Sequence, residues 1–454
     1  MTINQLAGVY YKEEVTYELS GVGSKIPIFI GRTGNSETTY TVAKTGETVT
    51  HKVDGTQFIR YDGYSKINKE ISDGGIGVEY HIENAGLENE TKVSHLGTNV
   101  LLKRIKEFYE EARLVGSGDI GVPYIYVIDI GTADNMTVWE NAIITAKSIH
   151  DATVEVYVGA KVNETKTGNT TTKTPVLWEK TTTTGTGESE TTTVTKGEDL
   201  KTLLIKLYDG LNPAVDEDDY GLKDCAKNLD LRYAFLTVET EDDTPEYIDE
   251  VLKGITTGND GFKKSRIGLC EPYLFGKTIA RICCTPNNTE PGYFRYRSVN
   301  PDTFYPRTKK EMLDLQNAGI IFNSDEHING NVYPKMNLCI ATSFAETTGR
   351  PADALFHARF NADDLLREVF EACYHQVKNN ESATNIAYLQ TRINKIVNDR
   401  VSAEEMVKYN DKTGEGTKLY ASEHDANPYN IIVHGQIQPV KCTVAIEVQA
   451  TIKI

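Results

Sequence analysis

No apolar run in this 454-residue chain approaches the roughly 20 residues that cross a bilayer, so membrane insertion is not expected. The opening stretch, MTINQLAGVYYKEEV, has neither a basic region nor an apolar core. It does not read as a secretion signal, and folding in the cytoplasm is expected. Cysteine is sparse and scattered. Cys225, Cys270, Cys283, Cys284, Cys339, Cys373 and Cys442 form no CxxC pair and no Cys/His cluster at zinc spacing. They read as reduced, buried thiols that behave as small hydrophobes. Basic charge is short as well: 48 Lys and Arg stand against 65 Asp and Glu, a net charge of −17. That sign weighs against wrapping nucleic acid, because phosphate is repelled.

Motifs for chemistry are also thin. Gly276-Lys277-Thr278 ends like a phosphate-binding loop, but the glycine such a loop requires five positions earlier is Glu271, an acid that would face phosphate. Gly21-Val22-Gly23 lacks the third glycine and the helix of a dinucleotide fingerprint. Asp325-Glu326-His327, among Asn323, Ser324, Asn329 and Gly330, reads as a solvated turn. His357 and His375 are 18 positions apart, about 27 Å along a straight helix, too far to share a ligand. Cys373 and His375 are two apart, which aims them in different directions on a helix and makes a poor nucleophile and base. No catalytic residue, metal site or cofactor is expected.

What the chain does have is pattern. With 39% hydrophobic and 25% charged residues it reads as a globular protein long enough for two or three cores. In residues 9–19, Val15, Tyr17 and Leu19 alternate with polar neighbours, as in a strand. Ile26–Ile30 is a short apolar strand ending at Gly31. From Arg32 to about Lys92 the composition is β-rich. Then helices and strands alternate. Leu101, Leu102, Ile105 and Phe108 mark one helix, and Trp139, Ile143 and Ala146 another; 124–130 and 154–162 read as strands. Further on come helix 200–211, strand 233–238, helix 245–255 and strand 266–269. This order predicts a mixed α/β fold with helices packed on a sheet. Residues 163–196, dominated by Thr, Gly and Glu, supply little buried area and read as a protruding hairpin or flap.

The last quarter carries the strongest helical periodicity. Leu355, Ala358, Ala362, Leu365, Val369 and Ala372 lie on one stripe of a helix over 351–378. Ile386, Leu389, Ile393 and Val397 do the same over 382–400. Asp363 and Arg367, four apart, are expected to pair on the exposed face. Four stretches follow: an N-terminal strand arm (1–24), a β-rich region (25–95), an α/β region (96–345) holding the Thr-rich insert, and C-terminal helices with a terminal β-arm (346–454).

The chain's end is patterned for burial. Val440, Cys442, Val444, Ile446, Val448, Ala450, Ile452 and Ile454 alternate with residues that are polar except for Ala445. At roughly 3.3 Å per residue this arm would reach about 50 Å, whereas strands commonly run about five or six residues. After Pro439 no Gly or Pro interrupts it, so a hairpin within the arm is disfavoured. Two arrangements satisfy it: a long central strand inside one subunit, or strand addition to another copy.

The two ends together resemble the phage contractile tail sheath family. Its N-terminal pattern is matched by Gly8, Val9, Tyr10, Glu13, Glu14, Gly21, Val22, Phe29 and Gly31. Residues 308–326, a helix leading through an Ala-Gly turn into an apolar strand, are similar to a sheath segment. So is the stretch 349–377 followed by the alternating C-terminus. Residues 32–200 match poorly, as an outer domain that varies would. The resemblance implies a subunit that forms a helical homopolymer around a tail tube protein, bounded by baseplate and tail terminator proteins, and that contracts without hydrolysing nucleotide. Adjacent subunits would be joined by terminal arms. Here those arms carry Val9, Tyr10, Tyr11, Val15, Tyr17 and Leu19 at one end, and Val440, Cys442, Val444, Ile446, Val448 and Ile452 at the other. The resemblance places the product in a virion tail or contractile injection particle assembled in the host cytoplasm. Another self-assembling shell or surface-layer protein, or an α/β enzyme with an unrecognised site, are the rival readings; the first would favour a secretion signal, the second a pocket with converging polar groups.

Overall fold

The run Pro27-Ile28-Phe29-Ile30-Gly31 offers no polar side chain, so as a strand it needs cover on both faces. That is where it lies. The computed structural model of the chain describes residues 25–32, 34, 37–42, 48–61, 76–80, 82–83, 91–95, 100–115, 124–132, 136–149, 152–160, 162–167, 170–175, 180–184, 191–195, 233–239, 267–301, 304, 307–317, 320–328, 331–337, 355–374, 383–424 and 427–440. Strand β1 (Pro27–Gly31) is buried along its whole length. Six short strands follow: β2 (Glu37–Val42), β3 (Thr48–Lys52), β4 (Phe58–Tyr61), β5 (Ile76–Tyr80), β6 (Ile82–Glu83) and β7 (Thr91–His95). Alternation then sets in with α1 (Val100–Val115), β8 (Ile125–Asp129), α2 (Met136–Ser148) and β9 (Val154–Ala160). The Thr-rich stretch makes two hairpins, β10 (Val162–Thr167) with β11 (Thr170–Pro175), and β12 (Lys180–Thr184) with β13 (Thr191–Thr195). Next come β14 (Tyr233–Val238), β15 (Ile267–Cys270), α3 (Phe275–Cys284), α4 (Lys309–Asn317), β16 (Ile320–Ile321) and the hairpin β17 (Asn323–Ile328) with β18 (Asn331–Met336). The chain closes with α5 (Phe356–Tyr374), α6 (Ala383–Ser402) and the hairpin β19 (Lys418–His424) with β20 (Asn427–Gln436).

The main sheet runs β16-β15-β14-β9-β1-β8-β4-β6. From β16 to β8 all neighbours are parallel, and β4 and β6 continue it antiparallel. The mixed α/β class expected from the alternating pattern is therefore the one observed. Strands β3-β2-β7-β5 form a separate antiparallel sheet. Both outermost strands of the main sheet are two residues long, which leaves little open backbone there for unwanted pairing.

Period-two alternation sorts the sheet's side chains between two cores. Phe29, Val127, Val156 and Phe235 pack with Leu101, Ile105 and Phe108 of α1 and Ile279 and Ile282 of α3. Ile28, Ile30, Ile128, Tyr157 and Leu236 point the other way, against Trp139 and Ile143 of α2 and Leu315 of α4. Each such side chain contributes about 1.5–3 kcal/mol when fully buried. On the first face α1 and α3 approach so closely that a methyl group at Gly276 would run into the Arg104 carbonyl oxygen and the Glu107 side chain. Beneath them Arg281 and Glu111 pair at 2.6 Å, with 2% and 0% of their side chains exposed. Glu111 also accepts from the Arg297 and Ser298 backbone N–H groups and the Ser298 hydroxyl, so the buried carboxylate is fully engaged.

Helix α5 spans two cores. Phe356 and Phe360 belong to the first sheet face. Leu365, Val369 and Ala372 pack with Leu389, Ile393, Ile396 and Val397 of α6, together with Met406 and Leu419. The stripe from Leu355 to Ala372 is buried throughout, as its spacing predicts. Asp363 does not lie on the exposed face where the Asp363–Arg367 pair was expected. Asp363 falls on the Phe356/Phe360 stripe (i+7 and i+3), so it is buried and accepts the Tyr233 hydroxyl at 2.6 Å. Arg367 pairs with Asp364, also at 2.6 Å. Helix α6 ends in a Schellman motif. The Glu404 N–H donates to the Val401 carbonyl, the Glu405 N–H to the Arg400 carbonyl, and Glu404 is left-handed at φ 60°, a position usually given to glycine. Helices expected near 200–211 and 245–255, and the strand over 9–19, lie outside the described residues.

Two stability outcomes follow from these geometries. Gly276→Ala forces α1 and α3 apart and lowers unfolding free energy by about 1–3 kcal/mol, read as a lower urea midpoint. Glu404→Gly relieves the left-handed Cβ and raises it by about 0.5–1 kcal/mol after the added freedom of the unfolded chain.

Candidate connecting ends of the chain

The N-terminal root is Lys25-Ile26. The Ile26 carbonyl accepts the N–H groups of Thr153 (3.2 Å) and Val154 (3.3 Å), so pairing with β9 starts before β1 proper. Lys25 is 2% exposed. Its ammonium donates to the Thr285 carbonyl at 2.8 Å and lies 5.0 Å from the centre of the Phe360 ring. A lysine held out of water requires partners of this kind.

The C-terminal root is the segment 437–440. The Val407 N–H donates to the Gln438 carbonyl and the Val440 N–H to the Glu405 carbonyl, both at 2.9 Å. Met406 and Pro439 face one another as an antiparallel bridge. Gln438 is held further: its N–H donates to the Thr417 hydroxyl at 2.9 Å, and its side-chain carbonyl accepts the Gly416 N–H at 2.7 Å.

Beside this root stands the β19–β20 hairpin, and its two edges differ. Gln390 of α6 occupies the outer edge of β19: its amide donates to the Leu419 carbonyl (3.0 Å) and accepts the Ala421 N–H (2.7 Å). Among the described residues β20, ten residues long, pairs with β19 alone. One edge is closed by a helix side chain and the other offers a ladder.

Of the arm residues singled out from sequence, Val440 lies at the pinned root, half-buried. Val9, Tyr10, Tyr11, Val15, Tyr17, Leu19, Cys442, Val444, Ile446, Val448 and Ile452 lie outside the described residues. Lys25, Gln390 and Gln438, which hold the roots and the hairpin, were not singled out. Each is a lone polar residue whose partner is distant in sequence, and nothing in local spacing marks it.

Among the described residues, the end of β15 and the N-terminus of α3, places where an α/β layer can bind small molecules, are engaged by the protein's own groups. At the N-terminus of α3 the Gly276 N–H donates to Glu107 (3.0 Å), and Lys277 reaches Glu110 and Ser298 (2.8 Å each). Glu271, just past β15, accepts from Arg307 and from the Asn323 N–H. Burial raises its carboxyl above the usual range, with Arg307 opposing. The Asp325-Glu326-His327 stretch is not the expected turn. It is part of β17, with Glu326 opposite Tyr333 and His327 opposite Val332. Burial pushes the thiols of Cys270, Cys283 and Cys373 up, and that of Cys284 up to about 12, opposite to what a nucleophile needs. His357 is buried, 3.4 Å from Glu290. Among the described residues no three His, Cys, Asp or Glu gather as a metal site, and no helix is long and apolar enough to cross a membrane.

No family model and no curated protein matches the chain. Its backbone does match solved structures. A chain in the six-fold-symmetrised baseplate of the anti-feeding prophage superposes with a TM-score of 0.53 at 10% identity, covering 99% of both chains. The helical sheath of the same particle in its contracted state gives 0.51 at 10% identity, again over 99% of both. The contracted sheath complex of the extracellular contractile injection system PVC gives 0.51 at 10% identity, over 99% of this chain and 98% of that one. From its first residues to its last, this chain has the fold of contractile sheath proteins.

Proposed function

We propose that the chain is the structural subunit of a contractile sheath, polymerising into a helical tube through its terminal strands and shortening to drive an inner tube through a target envelope. Its role is mechanical, not catalytic. The observation that carries this reading is the pairing of two pinned roots with a hairpin whose β20 edge has no partner strand among the described residues. An arm from a neighbouring copy adds to β20, with Val444, Ile446 and Val448, or Val15, Tyr17 and Leu19, on its buried face. Each backbone bond of such a ladder contributes about 0.5–1.5 kcal/mol net, so several, with the apolar face they carry, hold neighbours together while other contacts rearrange. Partners on this reading are further copies of the chain, a tail tube protein, and baseplate and terminator proteins at the tube's ends. Assembly takes place in the host cytoplasm. The β-rich region and the Thr-rich hairpins form the outer face.

Removing residues 441–454 is expected to leave a folded, soluble monomer that forms no tubes under negative-stain microscopy, where the full chain gives striated tubes. Tubes of normal length from the truncated chain would show that this arm is not the connector. The double substitution Val444→Lys and Ile446→Lys should match the truncation, because each places a charge where the ladder needs apolar cover.

A further inference from the structure

We infer that the loop 285–290, with Lys25, Asn288 and Arg400 as positioning residues, couples the two roots, so that the hold on one end of the chain depends on the hold on the other. The inference deepens the sheath reading and rests on it for its biological meaning, though the coupling itself belongs to the single subunit.

Two routes join the roots, and both pass around the parallel sheet. The first is the loop. At its start the Thr285 carbonyl accepts Lys25. In its middle the Asn287 carbonyl accepts the Asn361 side-chain amide of α5 at 2.7 Å. One residue on, the Asn288 side chain donates to the Ala403 carbonyl at 3.3 Å. Ala403 belongs to the Schellman turn whose Glu405 carbonyl takes the Val440 N–H. Residues 1–24 and 441–454 thus leave from points that are separated by more than four hundred positions in sequence and tied to one six-residue loop.

The second route is α5. Lys25 sits over Phe360. One turn further along the helix, Asp364 pairs with Arg400 at 2.7 Å, and the same guanidinium grips Glu405 at 2.7 Å and Glu368 at 3.0 Å. Burial works against the charge on Arg400, but Asp364 and Glu405 outweigh it and raise its affinity for the proton. Arg400 also lends its carbonyl to the Glu405 N–H, so it holds the turn from both its backbone and its side chain. Contacts of this length are stiff. Moving Lys25 strains Thr285 and Phe360, and through them the turn that receives Val440.

The loop is built for this more than for its own stability. Thr285, Asn287 and Glu290 are buried, and the side-chain oxygens of Thr285, Asn287 and Asn361 meet no hydrogen-bond partner among the described residues. Buried acceptors left in this state are costly. A chain selected for stability alone would carry apolar residues there. The polar seam is retained because its other atoms connect α5, the N-terminal root and the end of α6.

The test is hydrogen exchange on the full-length soluble subunit, resolved to the peptides holding Val407, Val440, Thr153 and Val154. Lys25→Met is expected to speed exchange at Val407 and Val440 by about tenfold while β8 and β14 keep their protection. Asn288→Ala alters an exposed side chain and is expected to fold; it should speed exchange at Val407 and Val440. Arg400→Gln should do the reverse at long range, loosening Thr153 and Val154. Unchanged exchange at Val407 and Val440 in both Lys25→Met and Asn288→Ala overturns the inference. If Lys25→Met loosens every peptide equally, the double variant Asn288→Ala with Arg400→Gln decides: less than the product of the single effects supports coupling, and simple multiplication refutes it. Since the readout is on single subunits, it stands apart from tube formation. Coupling without tubes would leave this inference intact and defeat the sheath reading; tubes with uncoupled roots would do the opposite.

Discussion

The strand nearest the start of the described chain is not at the rim of the sheet but inside it. Strand β1 is hydrogen-bonded on one side to β8 and on the other to β9, in parallel register from Ile28 opposite Tyr126 and from Pro27 opposite Val154. Everything else in the α/β layer is arranged around that insertion. The two cores exist because Phe29 points to one face and Ile28 and Ile30 to the other. A force applied along the chain from its N-terminal side meets both ladders in shear, so their bonds share it instead of opening one after another. Withdrawing β1 would mean opening both cores at once.

The C-terminal end is held by different means. Among the described residues the hold comes from two backbone bonds between 405–407 and 438–440, reinforced by Gln438. Such a root depends on the α6 terminus keeping its shape, which is why Glu404 is tolerated in a left-handed conformation and why Arg400 binds three carboxylates around it. The sheet edges tell the same story from the other side. The main sheet ends in two-residue strands, as proteins do when pairing is unwanted. The hairpin beside the C-terminal root closes one edge with Gln390 and leaves ten residues of β20 on the other. Among the described residues, that edge carries none of the blunting seen on the main sheet.

Much of this frame was legible in the sequence because burial writes itself locally. Apolar runs such as 27–31 and 125–129 can only be two-sided strands. The stripes from Leu355 to Ala372 and from Leu389 to Val397 carry the helical period to the end. What could not be read depends on contacts between elements. Asp363 looked exposed because its neighbours in sequence are polar, yet its position one and two turns from Phe360 and Phe356 puts it under Tyr233. The strand β17 was hidden by Asn, Ser, Asp and Glu, residues that favour turns and here pair with β18. The hairpin 418–436 went unseen for a related reason, since its apolar positions are diluted by His, Asn and Gly. Lys25 carries no local mark at all, because its meaning lies in a carbonyl 260 positions away.

The contacts at the carboxyl end of β15 and the start of α3 bear on how the layer is stiffened. In open parallel sheets, ligands bind beyond the carboxyl ends of the strands. Past β15 that space holds Glu271, Arg307 and Asn323 bound to one another. The helix end that would attract an anion already has Glu107 on its first free N–H. At these two places the polar groups are committed to neighbours in the chain. Such a layer gains rigidity from the same contacts that close it to ligands. On the proposed reading, in which the ends of the chain make the connections, rigidity between them is the property that matters. A soft body would absorb in its own deformation whatever displacement one end received, and a closed one passes it to the other.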